Sequence, residues 1–321
     1  SKSDLSHLIK FAVKYKTPLV PRTAGTSLAG QVVGRGIIVD LSRYWGNILE
    51  LNVDEKWVRV EPGVILDELN LYLKPYGLFF GPETSTSNRC MIGGMVGNNS
   101  CGAHSIVYGS TREHTISLKM MLDDGKEYEF GPLSVDEFNQ KLKFESREGD
   151  VYRHIHSLLS IKENQEEIVN QYPDPRIKRR NTGYALDLLL DSKVFGNGDK
   201  PFNFCKLIAG SEGTTGFITE IKLGLVPLPP KEKALVCVHL LEREQAFEAN
   251  LIALKYNPGA VEMMDNIILN CTKENIEQRK NRFFIQGEPG AIIIVELARN
   301  SREEIEQIAV AMEEEMRAAG Y

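Results

Sequence analysis

"PRTAGTSLAGQ" (residues 21–31) sits between the apolar run "TPLV" (17–20) and the segment "GIIVDLS" (36–42). The order reads as strand, glycine-rich loop, strand. Two glycines, two threonines and a serine in that loop leave two outcomes open. Such a loop either turns the chain tightly or lets backbone amides close on phosphate oxygens. The common phosphate signatures are not met. Gly25 and Gly30 have P-loop spacing, but Gln31 and Val32 replace its lysine and its hydroxyl residue. "GRGIIV" (34–39) lacks the third glycine of a dinucleotide fingerprint and runs into a strand rather than a helix. A P-loop ATPase and a nicotinamide Rossmann fold are both disfavoured.

Three further stretches share the loop's character. "GPETSTSNRCMIGGMVGNNSCGAHSIVYG" (81–109) sets Gly93 and Gly94 among Ser, Thr and Asn. "RRNTGYALD" (179–187) is a short polar-aromatic knot, and "GSEGTTGFITE" (210–220) repeats glycine at every third position. Four such loops exceed what turns alone require. A long ligand with a diphosphate at its middle would engage several of them.

Bulk properties narrow the class. The 321 residues suffice for two domains, and 42% apolar with 26% charged residues is ordinary for a globular protein. A net charge of −6 argues against a nucleic-acid binder, which needs a basic face. No run approaches the ~18 apolar residues of a membrane span. The opening residues read as an amphipathic helix with Leu5, Leu8, Ile9, Ala12 and Val13 on one side, not as a signal peptide. The five cysteines, at 90, 101, 205, 237 and 271, are odd in number and widely spaced. That pattern suits a reducing cytoplasm better than a disulfide framework.

The rest of the chain divides as follows. "WVRVEPGVILDELNLYLKPYG" (57–77) predicts a strand, then a helix over about 65–76 closed by Gly77. "TISLKMMLDDGKEYEF" (115–130) predicts a hairpin turning at Asp124-Gly125. Residues 131–180 are charged and mostly helical and read as an insertion. Pro229-Pro230 marks a domain boundary. Beyond it the order is strand, helix, strand, strand, helix. That order wants a further strand, so the chain is expected to stop inside a domain.

The series "PRTAGTSLAG", "VRVEPGV", "GPETSTSNRCMIGG…NNSCGAHSIVYGSTREH", "NTGYALDLL" and "IAGSEGTTGFITEIKL" resembles the PCMH-type FAD-binding module of the vanillyl-alcohol-oxidase superfamily. Within it, D-lactate, glycolate and D-2-hydroxyglutarate dehydrogenases are the most similar. The resemblance runs over about 5–225 in the family's order, and continues more weakly through "AVEMMD" (260–265). The helical insertion and "RRNTGYALD" resemble large bacterial FAD-linked, iron–sulfur members. The implied fold class is α+β. A PCMH-type FAD-binding module would span 1–228, built of two α/β subdomains (about 1–50 and 51–228) with the insertion at about 131–180. A partial ferredoxin-like cap, the FAD-linked oxidase substrate domain, would span 229–321.

The resemblance also implies roles. Arg22, Thr23, Ala24, Gly25, Thr26, Ser27 and Leu28 would wrap the FAD diphosphate. Pro82, Glu83, Thr84 and Ser87 enter the second loop, and Ile92, Gly93 and Gly94 approach the diphosphate from the other side. Asn98, Gly102, His104 and Tyr108 would lie toward the ribityl chain or the flavin ring. Glu212, Gly213, Phe217 and Ile218 fall where relatives hold the adenosine half. Gln31 is given no role, and Gln31→Ala is expected to matter little.

The relatives' chemistry is hydride transfer from C2 of a 2-hydroxy acid to flavin N5, which needs a base for the proton and a cation for the carboxylate. Those relatives supply both from metal-site and Glu-His motifs in the cap. The six histidines here, at 7, 104, 114, 154, 156 and 239, do not reproduce them. His154 and His156 would face different sides of a helix, a poor ligand geometry. No catalytic base or metal ligand is assigned, and a divalent metal or iron–sulfur cluster would belong to parts outside this chain. Arg180, Asn181 and Tyr184, with Arg179 beside them, are substrate candidates, because an arginine fork matches a carboxylate; a solvated basic patch is the plain alternative. Cys101 reads as a small packing residue rather than a redox thiol.

The expected partners are a 2-hydroxy acid and an electron acceptor, whether quinone, iron–sulfur domain or electron-transfer protein. No nucleic acid is expected, and a homodimer is compatible. The expected location is cytoplasmic, free or peripheral at the inner membrane face. Two rivals share the flavin fold: an NADPH-dependent reductase and a non-catalytic electron-transfer subunit. Some superfamily members bond FAD through a histidine near the first loop. No histidine lies between His7 and His104, so non-covalent FAD is expected. Acid precipitation should release yellow flavin to the supernatant; flavin retained on the pellet contradicts this.

Overall fold

Ser1 starts the first helix, Lys2–Tyr15, by a capping box: its hydroxyl accepts from the Asp4 amide, and the Asp4 carboxylate answers at the Ser1 backbone. Leu5, Ile9 and Ala12 are buried along one face, whereas Val13, expected on that face, is 58% exposed. The computed structural model describes residues 1–177, 179–180 and 183–321. They form two units, one of Ser1–Gly102 with Tyr108–Pro227 and one of Ala103–Val107 with Leu228–Tyr321.

The first unit begins with β1 (Leu19–Arg22) and β2 (Ile37–Asp40), which pair in parallel. Leu5 and Ile9 pack there with Leu41, Trp45, Met121 and Phe217. Next come β3 (Ile48–Asn52), β4 (Trp57–Val60), the short β5 (Leu78–Phe79), β6 (Thr115–Met121) and β7 (Glu127–Phe130). Two short strands, β8 (Pro132–Leu133) and β9 (Phe202–Asn203), pair with each other; β10 (Phe217–Gly224) and β11 (Val226–Pro227) follow. The main sheet is antiparallel in the order β3-β4-β10-β6-β7. Its alternation places Val58, Val60, Leu118, Met120, Ile221 and Leu223 in the core. Leu66, Leu69 and Leu73 of the helix Leu66–Leu73 join that core.

The helices Val135–Lys141, Arg147–Leu159 and Lys162–Gln171 feed Phe138, Tyr152, Leu159 and Ile168 into the same core. Residues 81–111 hold a helix that the sequence did not announce, Ile92–Asn98. Three of its seven residues are glycine, so intrinsic propensity opposes it. Burial of Ile92, Met95 and Val96 stabilises it instead.

The second unit has β12 (Glu232–Leu240), β13 (Ala260–Asp265) and β14 (Ala291–Arg299), antiparallel in the order β12-β14-β13. Ala249 and Ala253 of the helix Gln245–Leu254 pack with Ile305, Met312 and Met316 of Arg302–Ala318 and with Ile293, Val295 and Leu297. Small residues on the first helix let it sit close to the sheet. Mixed helices and strands in both units make the chain α+β.

One ion group ties the main sheet together. Glu220, 8% exposed, accepts from Arg59 Nη1 at 2.6 Å and from Lys119 Nζ at 3.1 Å. Burial opposes ionisation of its carboxyl, but the two cations outweigh it and hold the pKa below 4.5. The stability it contributes is complete above that value and is lost as pH falls below it. Glu220→Gln should therefore destabilise the protein by roughly 1–3 kcal/mol at neutral pH. In urea titrations the gap from the parent should shrink as pH falls below the ordinary carboxylate range; a gap unchanged by acid contradicts the assignment.

Candidate functional site

The first unit encloses a cavity of about 500 Å³. One wall is the loop after β1, from Arg22 to Ala29, continued by Gln31 and Val32. A second is Thr84–Thr86. A third is the helix Ile92–Asn98, presenting Gly93, Gly94, Gly97 and Asn98, followed by Ser100 and Cys101. The fourth is the arm Ser211–Gly213 with Thr215, Gly216 and Ile218, which leads into β10. Three of the four loops quoted above thus meet in one space. None of the described residues of the fourth, 179–187, lines it.

Glycine is required where these walls close on each other. A Cβ on Gly93 would lie 2.4 Å from Pro62 Cβ, and one on Gly94 would lie 2.8 Å from Thr23 Oγ1. Gly213 has φ +78°, and its Cβ would lie 2.5 Å from Pro21 Cγ. The arm is bonded to the glycine helix: Gly210 N donates to Val96 O at 2.9 Å, and Glu212 N to Gly97 O at 2.8 Å. Glu212 adopts φ +52°, a left-handed conformation uncommon for a residue with a side chain.

The cavity's polar groups suit an anionic ligand. No amide from Thr23 to Ala29 bonds a protein acceptor among the described residues. Arg22 is the only cationic side chain among the described lining residues, and its Nε is buried without a partner. Gln31 Oε1 is likewise buried and unpaired, while Gln31 Nε2 donates to Glu212 Oε1 at 3.3 Å, joining the first loop to the arm. Gln31, for which the sequence offered no role, is therefore a wall residue. Its only signal was its place directly after Gly30. Cys90 also lines the cavity; burial raises its thiol pKa, so it stays a neutral thiol.

Several expected residues serve elsewhere. Ile92 and Phe217 are core residues. The amides of Ile92 and Gly93 donate to Val64 O and Pro62 O, so these two shape the wall without pointing an N–H into the cavity. Pro82, Glu83 and Ser87 lie outside the lining, and Glu83 packs on Gly102, whose Cβ would lie 2.5 Å from Glu83 Cγ. Tyr108 meets Phe79 edge-on at 5.1 Å. His104 belongs to the second unit, where its Nε2 lies 2.9 Å from Glu296 Oε1, an oxygen that Lys233 Nζ also reaches at 2.9 Å. Among the substrate candidates, Arg180 pairs with Asp187 at 2.5 Å and lies over the Tyr172 ring. The Tyr184 hydroxyl meets Thr214 Oγ1. Asn181 lies outside the described residues. No group of three or more His, Cys, Asp or Glu that could hold a metal occurs among the described residues.

Comparison with known proteins agrees with this geometry. Residues 1–131 match the family described as "FAD binding domain". The chain is 35% identical over 291 residues to the D-2-hydroxyglutarate dehydrogenase of Pantoea ananatis, covering 89% of this chain and 28% of that protein. It is 37% identical over 279 residues to the enzyme of the same name from Escherichia coli, covering 86% and 26%. The mitochondrial D-lactate dehydrogenase [cytochrome] of Kluyveromyces lactis is 26% identical, covering 95% and 44%. The chain thus spans about a quarter of the D-2-hydroxyglutarate dehydrogenases it matches. In fold it is similar to alkyldihydroxyacetonephosphate synthase, with a TM-score of 0.60 at 14% identity, covering 97% of this chain and 48% of that one.

Gly25 offers a direct test. Its φ is +68°, and a Cβ there would come within 2.8 Å of the Arg22 guanidinium. Gly25→Val should displace Arg22 and weaken FAD binding by at least tenfold in a flavin-fluorescence titration; unchanged affinity contradicts the loop's role. With glycine-closed walls, unpaired loop amides and a waiting arginine in place, the chain carries an FAD-binding domain of the PCMH type, and FAD is its cofactor.

Proposed function

We propose that this chain is the flavin-binding part of an enzyme that oxidises a D-2-hydroxy acid, with D-2-hydroxyglutarate ahead of D-lactate and glycolate. The observation that carries the proposal is the cavity itself, in a chain that is 35% and 37% identical to two D-2-hydroxyglutarate dehydrogenases over most of its length. FAD, when bound, supplies a two-electron acceptor for the hydride at C2 of the hydroxy acid.

The residues of this chain bind and orient that cofactor. Arg22 would hold the diphosphate through its guanidinium, and the unpaired amides of Thr23 to Leu28 would supply further donors to it. Gly93, Gly94 and Gly213 let the cavity's walls close on Pro62, Thr23 and Pro21. Gln31 and Glu212 close the cavity between the first loop and the arm. The electron acceptor would be a quinone, an iron–sulfur domain or an electron-transfer protein. No helix among the described residues is long and apolar enough to cross a membrane. All five cysteines are unbridged, which supports a cytoplasmic setting, including the inner membrane face.

The test is anaerobic reduction of the FAD-loaded full-length protein. D-2-hydroxyglutarate should bleach the visible flavin band, and the L enantiomer should not. Bleaching by NADPH without any hydroxy acid would establish a reductase instead. Bound FAD that no hydroxy acid reduces would point to an electron-transfer subunit.

A further inference from the structure

The cavity's fourth wall, Ala209 to Gly216, is fixed at both ends by side chains that do not line it. At its root stands Arg112, 2% exposed. Its Nε and Nη2 donate to Ala209 O at 3.0 and 2.6 Å. Nη2 also donates to Gly183 O at 3.0 Å, and Nη1 to Arg180 O at 3.3 Å. The Arg112 amide donates to Asn99 Oδ1 at 2.8 Å. These acceptors are backbone carbonyls and one amide oxygen, so a buried charge is spent on joining three chain segments. A Cβ on Gly210 would lie 2.5 Å from Arg112 Nη2, and Gly210 has φ +101°, so the root tolerates only glycine.

At the tip, hydroxyl protons settle the direction of each bond. Thr214 Oγ1 donates its one proton to Ser211 O at 2.6 Å. In its bond with Tyr184 it must therefore accept, and the Tyr184 phenol donates. Tyr184 is set in turn by Tyr172, whose hydroxyl donates to Tyr184 O at 2.7 Å and accepts from Leu186 N at 3.3 Å. The relay runs Tyr184 to Thr214 to the Ser211 carbonyl, and Ser211 is a cavity residue.

We propose that Arg112 and Tyr184 are positioning residues for FAD, holding the Ala209–Gly216 arm in its binding shape from root and tip. The arm contains Gly210, Gly213 and Gly216, which would otherwise lose much conformational freedom on binding. Setting it in advance removes that ordering cost from cofactor affinity. Tyr184 thereby serves the cofactor rather than the substrate. The inference rests on the cavity being the FAD site and not on the identity of the hydroxy acid.

The test is a double-mutant cycle on the full-length apoprotein, titrated with FAD by flavin-fluorescence quenching beside apo melting curves. Tyr184→Phe and Thr214→Val should each weaken FAD by about fivefold to tenfold. The double variant should be no weaker than Thr214→Val alone, because that substitution already removes the bond to Tyr184 together with the one to Ser211. Thr214→Ser should keep parental affinity, and the apo melting temperatures should stay at the parental value. Arg112→Ala, where it folds, should also lose affinity, with millimolar guanidinium restoring it; where it does not fold, the hydroxyl cycle decides alone. Parental affinity in Tyr184→Phe or Thr214→Val, or losses that multiply in the double, would overturn the proposal. A parent that binds no FAD would overturn the cavity assignment itself, so the two failures are distinguishable.

Discussion

The approach of one glycine-rich helix to its neighbours is the constraint on which the flavin unit depends. Ile92–Asn98 turns Gly93 against Pro62 and Gly94 against Thr23, at separations that no Cβ could occupy. The same helix hands its Val96 and Gly97 carbonyls to the amides of Gly210 and Glu212. The first loop, the helix and the arm are thus placed relative to one another through backbone. The cost of a glycine helix, about 1 kcal/mol per glycine relative to alanine, is offset by burying Ile92, Met95 and Val96 beneath it.

Around that frame, charge is used in two ways. Glu220, Arg59 and Lys119 are paired inside the sheet and serve only structure. Glu220 lies in β10, the strand into which the arm runs, so the sheet anchors the arm's far end. Arg22 and Gln31 are treated differently. Each carries a buried polar atom with no protein partner, and a buried unpaired polar atom is destabilising by a few kcal/mol unless a ligand or water satisfies it. The unsatisfied groups gather where the loop amides also lack acceptors, and that coincidence marks a site rather than a surface turn.

Much of this was legible in the chain. The Asp124-Gly125 turn announced the hairpin of β6 and β7, and the order of the glycine loops announced the cofactor. What escaped depended on contacts between distant segments. The helix Ile92–Asn98 was hidden because its glycines argue for a loop until the core beneath them is seen. Arg180 looked free to take a carboxylate, but Asp187, seven residues on, already occupies its fork. Arg112 carried no local signal, since the acceptors of its guanidinium lie 68 to 97 residues away. Gln31 was dismissed as a failed P-loop lysine, a comparison with the wrong motif.

The central claim is that the cavity grips a diphosphate and not merely a flavin ring. Comparing FAD with riboflavin in binding titrations of the apoprotein tests it most directly. The account predicts one tight FAD site per chain and riboflavin weaker by several orders of magnitude, because Arg22 and the loop amides then have nothing to hold. Equal affinity for the two, or no FAD binding at all, would contradict it.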